Sequence, residues 1–136
     1  MGEYLARQGF RPEKILCSTS ARTRETREAM APSYGELPAT EYREELYLAS
    51  PQQILALLRE TPDTIGSVMV IGHNPGIHQC ALHLAMNDAS PAYRQLLFDF
   101  PTAALAVLSF ADLAHWQEIQ AGNGAVDAYA VGRKLG

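Results

Sequence analysis

The sequence predicts a three-layer α/β domain: a mostly parallel sheet with helices on both faces and an antiparallel hairpin at its C-terminal end. Three features carry that expectation. Two short apolar runs, 14–17 and 67–71, each stop at small or turn-forming residues and give way to a helical pattern. Strands alternating with helices imply a parallel sheet covered by helices. A third apolar run, 102–110, is followed by two segments set off by turns at Asp112 and at Gly122-Asn123-Gly124, as in a closing antiparallel arrangement.

The elements follow in order. Residues 3–8 read as a helix closed by Gly9 in the position that ends many helices. It begins at the initiator methionine with no capping residue ahead of it, as though the chain started within a fold. Pro12 breaks the path, and 14–17 forms the first strand. Ser18, Thr19 and Ser20 supply N-cap candidates for a helix over 21–30. Residues 32–38 read as loop between two prolines, and 41–48 fits neither helix nor strand decisively. Ser50-Pro51 is a helix start, a cap followed by proline at the first helical position. Ile54, Leu55, Leu57 and Leu58 form its inner side, and it ends near Thr61-Pro62.

After the strand at 67–71, the helix from Ile77 to Met86 follows a turn through Gly72 to Gly76, and a short helix covers 91–98. The almost wholly apolar stretch 102–110 is expected to be a central strand covered on both faces. Residues 115–120 are expected to pair antiparallel with it, and 125–131 to add a last strand.

Length and composition confine the function classes. With 136 residues the chain reads as one domain able to bury a core, and 47% apolar with 19% charged residues is ordinary for a globular protein. A net charge of −4 offers no footprint for nucleic acid or an anionic membrane. Cys17 and Cys80 are too few for a disulfide framework, which points to a reducing compartment. No signal segment, myristoylation pattern or membrane-length apolar run is present, so a cytoplasmic protein is expected.

Candidate chemistry gathers at two strand-to-helix junctions, Cys17-Ser18-Thr19-Ser20-Ala21-Arg22 and Gly72-His73-Asn74-Pro75-Gly76. If the two strands are parallel neighbours, both junctions open on one sheet edge, where α/β proteins bind ligands. Arg22 then faces His73 across a crevice. A guanidinium fork beside a helix N-terminus suits a phosphoryl oxyanion better than an apolar ligand. Taken singly, an arginine near a helix start is more often a solvated residue, as expected of Arg24 and Arg27, and a histidine at a strand end is as often structural. The pair at equivalent junctions lifts the functional reading.

Rival motifs fail on the letters. A cysteine phosphatase loop needs five residues between Cys and Arg, but four separate Cys17 from Arg22 and six separate Cys17 from Arg24. Gly72-x-Asn74-x-Gly76 mimics a hydrolase nucleophile elbow with Asn where Ser is required. No Gly-rich phosphate loop of the Walker type occurs. His73, His78 and His83 are spaced by five, which turns each about 140° from the last on a helix, so no metal site is expected. His115 beside Trp116 reads as a packing residue.

The motifs carry a resemblance. Cys17-Ser18-x-x-x-Arg22-x-x-x-Thr26 resembles the second motif of the histidine phosphatase superfamily. Val70-Ile71-Gly72-His73-Asn74-Pro75-Gly76-Ile77 resembles the second-histidine motif of its small SixA-type phosphohistidine phosphatase branch. Glu45-Leu46-Tyr47, the helix after Ser50-Pro51, Phe100-Pro101-Thr102-Ala103-Ala104, Trp116, Gly122 and Gly124 also fit, so the similarity runs over nearly the whole chain.

The resemblance implies a phosphoglycerate-mutase-like fold and catalysis through a phosphohistidine enzyme intermediate, without metal or cofactor. A histidine in an Arg-His-Gly or Arg-His-Ala motif attacks phosphorus, while that motif's arginine, the second-motif arginine and the second histidine hold the oxygens. Carried over, Arg22 and His73 are catalytic phosphate ligands and Asn74 adds a donor. Glu44 and Glu45 are candidate proton donors. The partner is the phosphoryl group of a phosphohistidine protein or a small phosphomonoester.

The chain departs from the pattern in one respect: no Arg-His pair occurs in its sequence. The family's first strand is expected to precede Met1, which makes the chain N-terminally incomplete and inactive as written. The alternative is a phosphate-binding or interaction module without catalysis. A missing central strand also leaves an edge through which copies could associate.

Overall fold

The computed structural model describes residues 2–34, 36–111 and 113–132. Its elements are α1 (Gly2–Gln8), β1 (Lys14–Ser18), α2 (Ala21–Tyr34), β2 (Ala39–Arg43), α3 (Pro51–Arg59), β3 (Val68–Ile71), α4 (Gly76–Leu84), α5 (Pro91–Phe98), β4 (Ala104–Ser109) and β5 (Ala125–Val131). Short 3₁₀ turns cover Glu44–Leu46 and Trp116–Glu118. No helix among the described residues is long and apolar enough to cross a membrane.

Period-two alternation along the strands builds the layers. Ile15 and Cys17 of β1 face one side with Met69 and Ile71 of β3, against Leu5 of α1 and Met30 of α2. Leu16, Val68 and Val70 face the other side, against Ile54, Leu55, Leu57 and Leu58 of α3 and Cys80 and Leu84 of α4. This is the expected three-layer sandwich. Its parallel sheet runs in the order β2-β1-β3, and β4 and β5 form the antiparallel pair.

The helix ends obey local rules. Gly9 takes φ 74° and the Phe10 N–H donates to the Leu5 carbonyl at 3.0 Å, closing α1 in a Schellman turn. At α3 the Ser50 side chain accepts from the Gln53 N–H while Gln53 returns a bond to the Ser50 N–H, a complete capping box. Helix α4 ends at Leu84, where Ala85 forms an isolated parallel bridge with Gly124 just ahead of β5: the Gly124 N–H donates to Leu84 O and the Met86 N–H to Gly124 O, both at 2.7 Å.

Several expectations need correction. Helix α2 continues past Met30 through Pro32 to Tyr34 rather than yielding to loop. Pro32 stands in its last turn, where the loss is one backbone bond rather than a broken helix. The ambiguous stretch resolves into the polar edge strand β2 followed by a 3₁₀ turn. Arg27, expected to be solvated, donates from Nε to Thr40 Oγ1 at 2.7 Å and ties α2 to β2. The turn expected at Asp112 lies outside the described residues.

Residues 115–120 do not pair with β4. The Asp63 carboxylate takes the Trp116 N–H at 3.1 Å, the Trp116 indole donates to Ile65 O at 2.7 Å, and Glu118 Oε1 accepts from the His115 N–H at 2.9 Å. These bonds hold the segment as a turn. Strand β4 pairs with β5, with a register irregularity between Val107 and Leu108. It is half-buried rather than covered on both faces. Leu105 and Leu108 reach the cores on opposite faces of the first sheet. Among the described residues, however, β3 pairs only with β1 and β4 only with β5, so these two strands each keep one open edge.

Two outcomes follow from the packing. A Cβ built on Gly76 would stand 1.8 Å from the Ala49 carbonyl oxygen, so Gly76→Ala must displace backbone. It should cost at least about 2 kcal/mol in urea denaturation, and a loss near zero would contradict this packing.

His115 Nδ1 lies 2.7 Å from Asp63 Oδ2. The bond to Asp63 and then its charge raise the imidazole above its ordinary 6.5, while the bonds from His115 and Trp116 hold Asp63 below its ordinary 3.8. The contribution of His115 is therefore complete below pH 6.5 and fades as pH rises through its folded value. That of Asp63 is complete above pH 3.8 and fades as pH falls through its own. Histidine titration by NMR should find His115 lowered in Asp63→Asn; an unchanged midpoint would contradict the pairing.

Candidate active site

Parallel pairing of β1 with β3 sets the Cys17–Ile71 register, so both strands end at the same sheet edge. From β1 the chain passes through Ser18, Thr19 and Ser20 into α2, with Arg22 in the first turn. Ser20 caps that turn: its Oγ accepts the Thr23 N–H at 3.3 Å and its carbonyl accepts the Arg24 N–H at 3.1 Å. From β3 the chain passes through Gly72 to His73, whose carbonyl accepts the Ile77 N–H at 2.9 Å as α4 begins. The Asn74–Pro75 peptide is cis. The two predicted junctions therefore open side by side.

The His73 ring is held on two sides. Nε2 lies 2.8 Å from the hydroxyl of Ser18, a residue fully removed from solvent. Tyr47 stands edge-on to the imidazole at 5.2 Å between centroids, with the rings 75° apart. Sequence reasoning missed both contacts. Ser18 carries a capping signal and a motif position in the sequence, and Tyr47 a motif position, but neither signal points to the His73 ring.

Arg22 is exposed, and among the described residues no side chain pairs with its guanidinium. The other cations of this edge are engaged. Arg24 Nε donates to Thr19 O at 3.0 Å while its guanidinium lies 4.4 Å from the Tyr42 ring centroid. Arg43 bonds both Glu41 and Glu45. An arriving oxyanion would thus find a guanidinium without a competing carboxylate.

The Asn74 side chain donates to Phe100 O at 2.7 Å, which ties the turn to the segment entering β4. His78 supports the same segment, with Nε2 2.6 Å from Leu96 O and its ring stacked on Phe100 at 5.5 Å. A groove of about 240 Å³ runs beside the turn, bordered by Leu48, Ser50, Gln53, Asn74 and Gln79, none of them charged.

Electrostatics narrow the roles of other candidates. Burial raises the Cys17 thiol above its ordinary 9.0, the reverse of what a thiolate nucleophile needs. The bond from Arg43 holds Glu45 below the usual carboxylate range, so it gives up its proton too early to serve as an acid near neutrality. His83 is exposed on α4.

No protein-family model matches the chain. Uncharacterized proteins of Mycobacterium tuberculosis and Mycobacterium leprae are 33% and 32% identical to it over 124 and 122 residues. Each alignment covers 89% of this chain, and 74% and 72% of the two relatives respectively. Among solved structures, a protein of Nakamurella multipartitia and one of Agrobacterium tumefaciens, both provisionally named phosphohistidine phosphatase SixA, superpose with TM-scores of 0.76 at 26% identity. They cover 95% and 96% of this chain and 76% and 74% of their own. The protein histidine phosphatase SixA complexed with tungstate gives 0.74 at 22% identity, over 99% of this chain and 78% of that one, a likeness of fold alone. The chain has the fold of the SixA phosphohistidine phosphatases of the histidine phosphatase superfamily, and its two junctions match the motifs by which it resembles them.

Proposed function

We propose that these residues supply the phosphate-holding half of a phosphohistidine or phosphomonoester phosphatase site, with Arg22 and His73 gripping the phosphoryl oxygens. The observation that supports this most is the β1–β3 register, which brings both junctions to one sheet edge. The unpaired Arg22 guanidinium and the capped N-terminus of α2 favour an oxyanion there. Asn74 adds a donor from its remaining amide hydrogen or its backbone N–H. The oxyanion tungstate in the related SixA complex is consistent with such a pocket.

In the reaction this site would serve, a histidine nitrogen bonds to phosphorus as the bond to the leaving group breaks. Water then hydrolyses the phosphohistidine. Arg22 and His73 stabilise the charge that builds on the equatorial oxygens. No Arg-His pair occurs among the 136 residues, so by themselves they bind the anion without attacking it. That same absence favours a second reading, an anion-binding or protein-interaction module without turnover. Self-association through the open edges of β3 and β4 accompanies either reading.

Calorimetric titration with vanadate should show binding that weakens on the order of 10- to 100-fold in Arg22→Ala, as for a lost hydrogen bond to a charged group. Absence of oxyanion binding by the parent chain would overturn both readings. Phosphohistidine hydrolysis by the 136-residue chain is expected to be negligible. Turnover abolished by His73→Ala would make His73 itself the nucleophile. Sedimentation of a monomer at all concentrations would count against association through the strand edges.

A further inference from the structure

Two side chains that hold one anion must keep a fixed spacing, yet Arg22 and His73 come from different junctions. Both junctions are anchored to Ser18, by different oxygens. The Ser18 carbonyl accepts the Thr23 hydroxyl at 2.8 Å, and Thr23 follows Arg22 in the first turn of α2. The Thr23 hydroxyl also lies 2.8 Å from Ser20 Oγ, which locks the cap of the same turn. The Ser18 hydroxyl, in turn, lies 2.8 Å from His73 Nε2 across 55 residues of sequence. Ser18 and Thr23 are buried, with 0% and 4% exposure, so water cannot readily replace either bond.

We propose that Ser18 is the positioning residue of the site, fixing Arg22 through its carbonyl and His73 through its hydroxyl. The proposal rests on the reading of those two residues as anion ligands. The Ser18–His73 bond also selects a nitrogen. With Nε2 turned to Ser18 and Tyr47 against the ring, Nδ1 is the nitrogen left to meet a phosphoryl oxygen, and no described residue bonds it. To donate there it must carry the proton, so in the neutral ring the Ser18 O–H donates to Nε2 and the Nδ1–H tautomer prevails. Free imidazole side chains in water favour the opposite tautomer. The protein thus stabilises a distinctive and observable state.

The test is two-bond ¹H–¹⁵N NMR of His73 in the wild type, Ser18→Ala and Ser18→Cys, joined to titration with inorganic phosphate. The wild type should show mainly the Nδ1–H form. Ser18→Ala should move the tautomer ratio toward Nε2–H by at least about threefold and weaken phosphate binding about three- to tenfold, with helix content unchanged. Ser18→Cys, close in size with a weaker donor, should fall between. An unmoved tautomer ratio in a folded Ser18→Ala protein overturns the proposal. Should Ser18→Ala fail to fold, the wild-type spectrum decides: a predominant Nε2–H form overturns it and a predominant Nδ1–H form supports it. A shifted tautomer in a chain that binds no phosphate upholds the role of Ser18 and removes the anion-ligand reading instead.

Discussion

Pairing of β1 with β3 in parallel is the constraint from which the site and much of the core derive. The register of Lys14 on Val68 through Cys17 on Ile71 settles which side chains face each helical layer. A slip of one residue would exchange Ile15 and Cys17 with Leu16, moving residues packed against α2 to the side of α3. It would also separate Ser18 from His73. The hydrogen bond between those two residues is thus a consequence of strand register, and packing on both faces defends that register.

Around this pair the remaining contacts act as braces. Gly76 lets the turn after His73 press against the Ala49 carbonyl, where a methyl group has no room. Asn74 holds the opposite side of the turn through Phe100, and His78 stacks on the Phe100 ring. The 3₁₀ turn after β2 delivers Tyr47 to the His73 ring. The segment leading into α3 and the segment between α5 and β4 therefore support one loop, while the α2 junction is held from within by Ser20 and Thr23. This asymmetry braces the histidine on several sides and leaves the arginine side chain exposed.

Much of this was legible in the letters because the decisive signals are local. Val68–Ile71 is an apolar run cut short by turn residues, and Ser50-Pro51 declares a helix start; both became the elements they promised. Arg22 and His73 stand at strand-to-helix junctions that any parallel pairing of the two strands brings together. The illegible parts depend on distant partners. Residues 115–120 look like a strand until Asp63 and Ile65 claim Trp116. The apolar composition of β4 implied cover on both faces, but composition cannot show that one strand edge has no partner. Ser18 offered a capping signal and a place in a motif but no sign of its partner, since its hydroxyl finds His73 through the sheet rather than along the chain.

The central claim is that the two junctions form one anion seat, and diffraction locates such a ligand directly. Crystals of the 136-residue chain grown with tungstate should give an anomalous peak within hydrogen-bonding reach of both the Arg22 guanidinium and the His73 imidazole. A peak elsewhere, or a site at this edge left empty at saturating tungstate, would contradict the account.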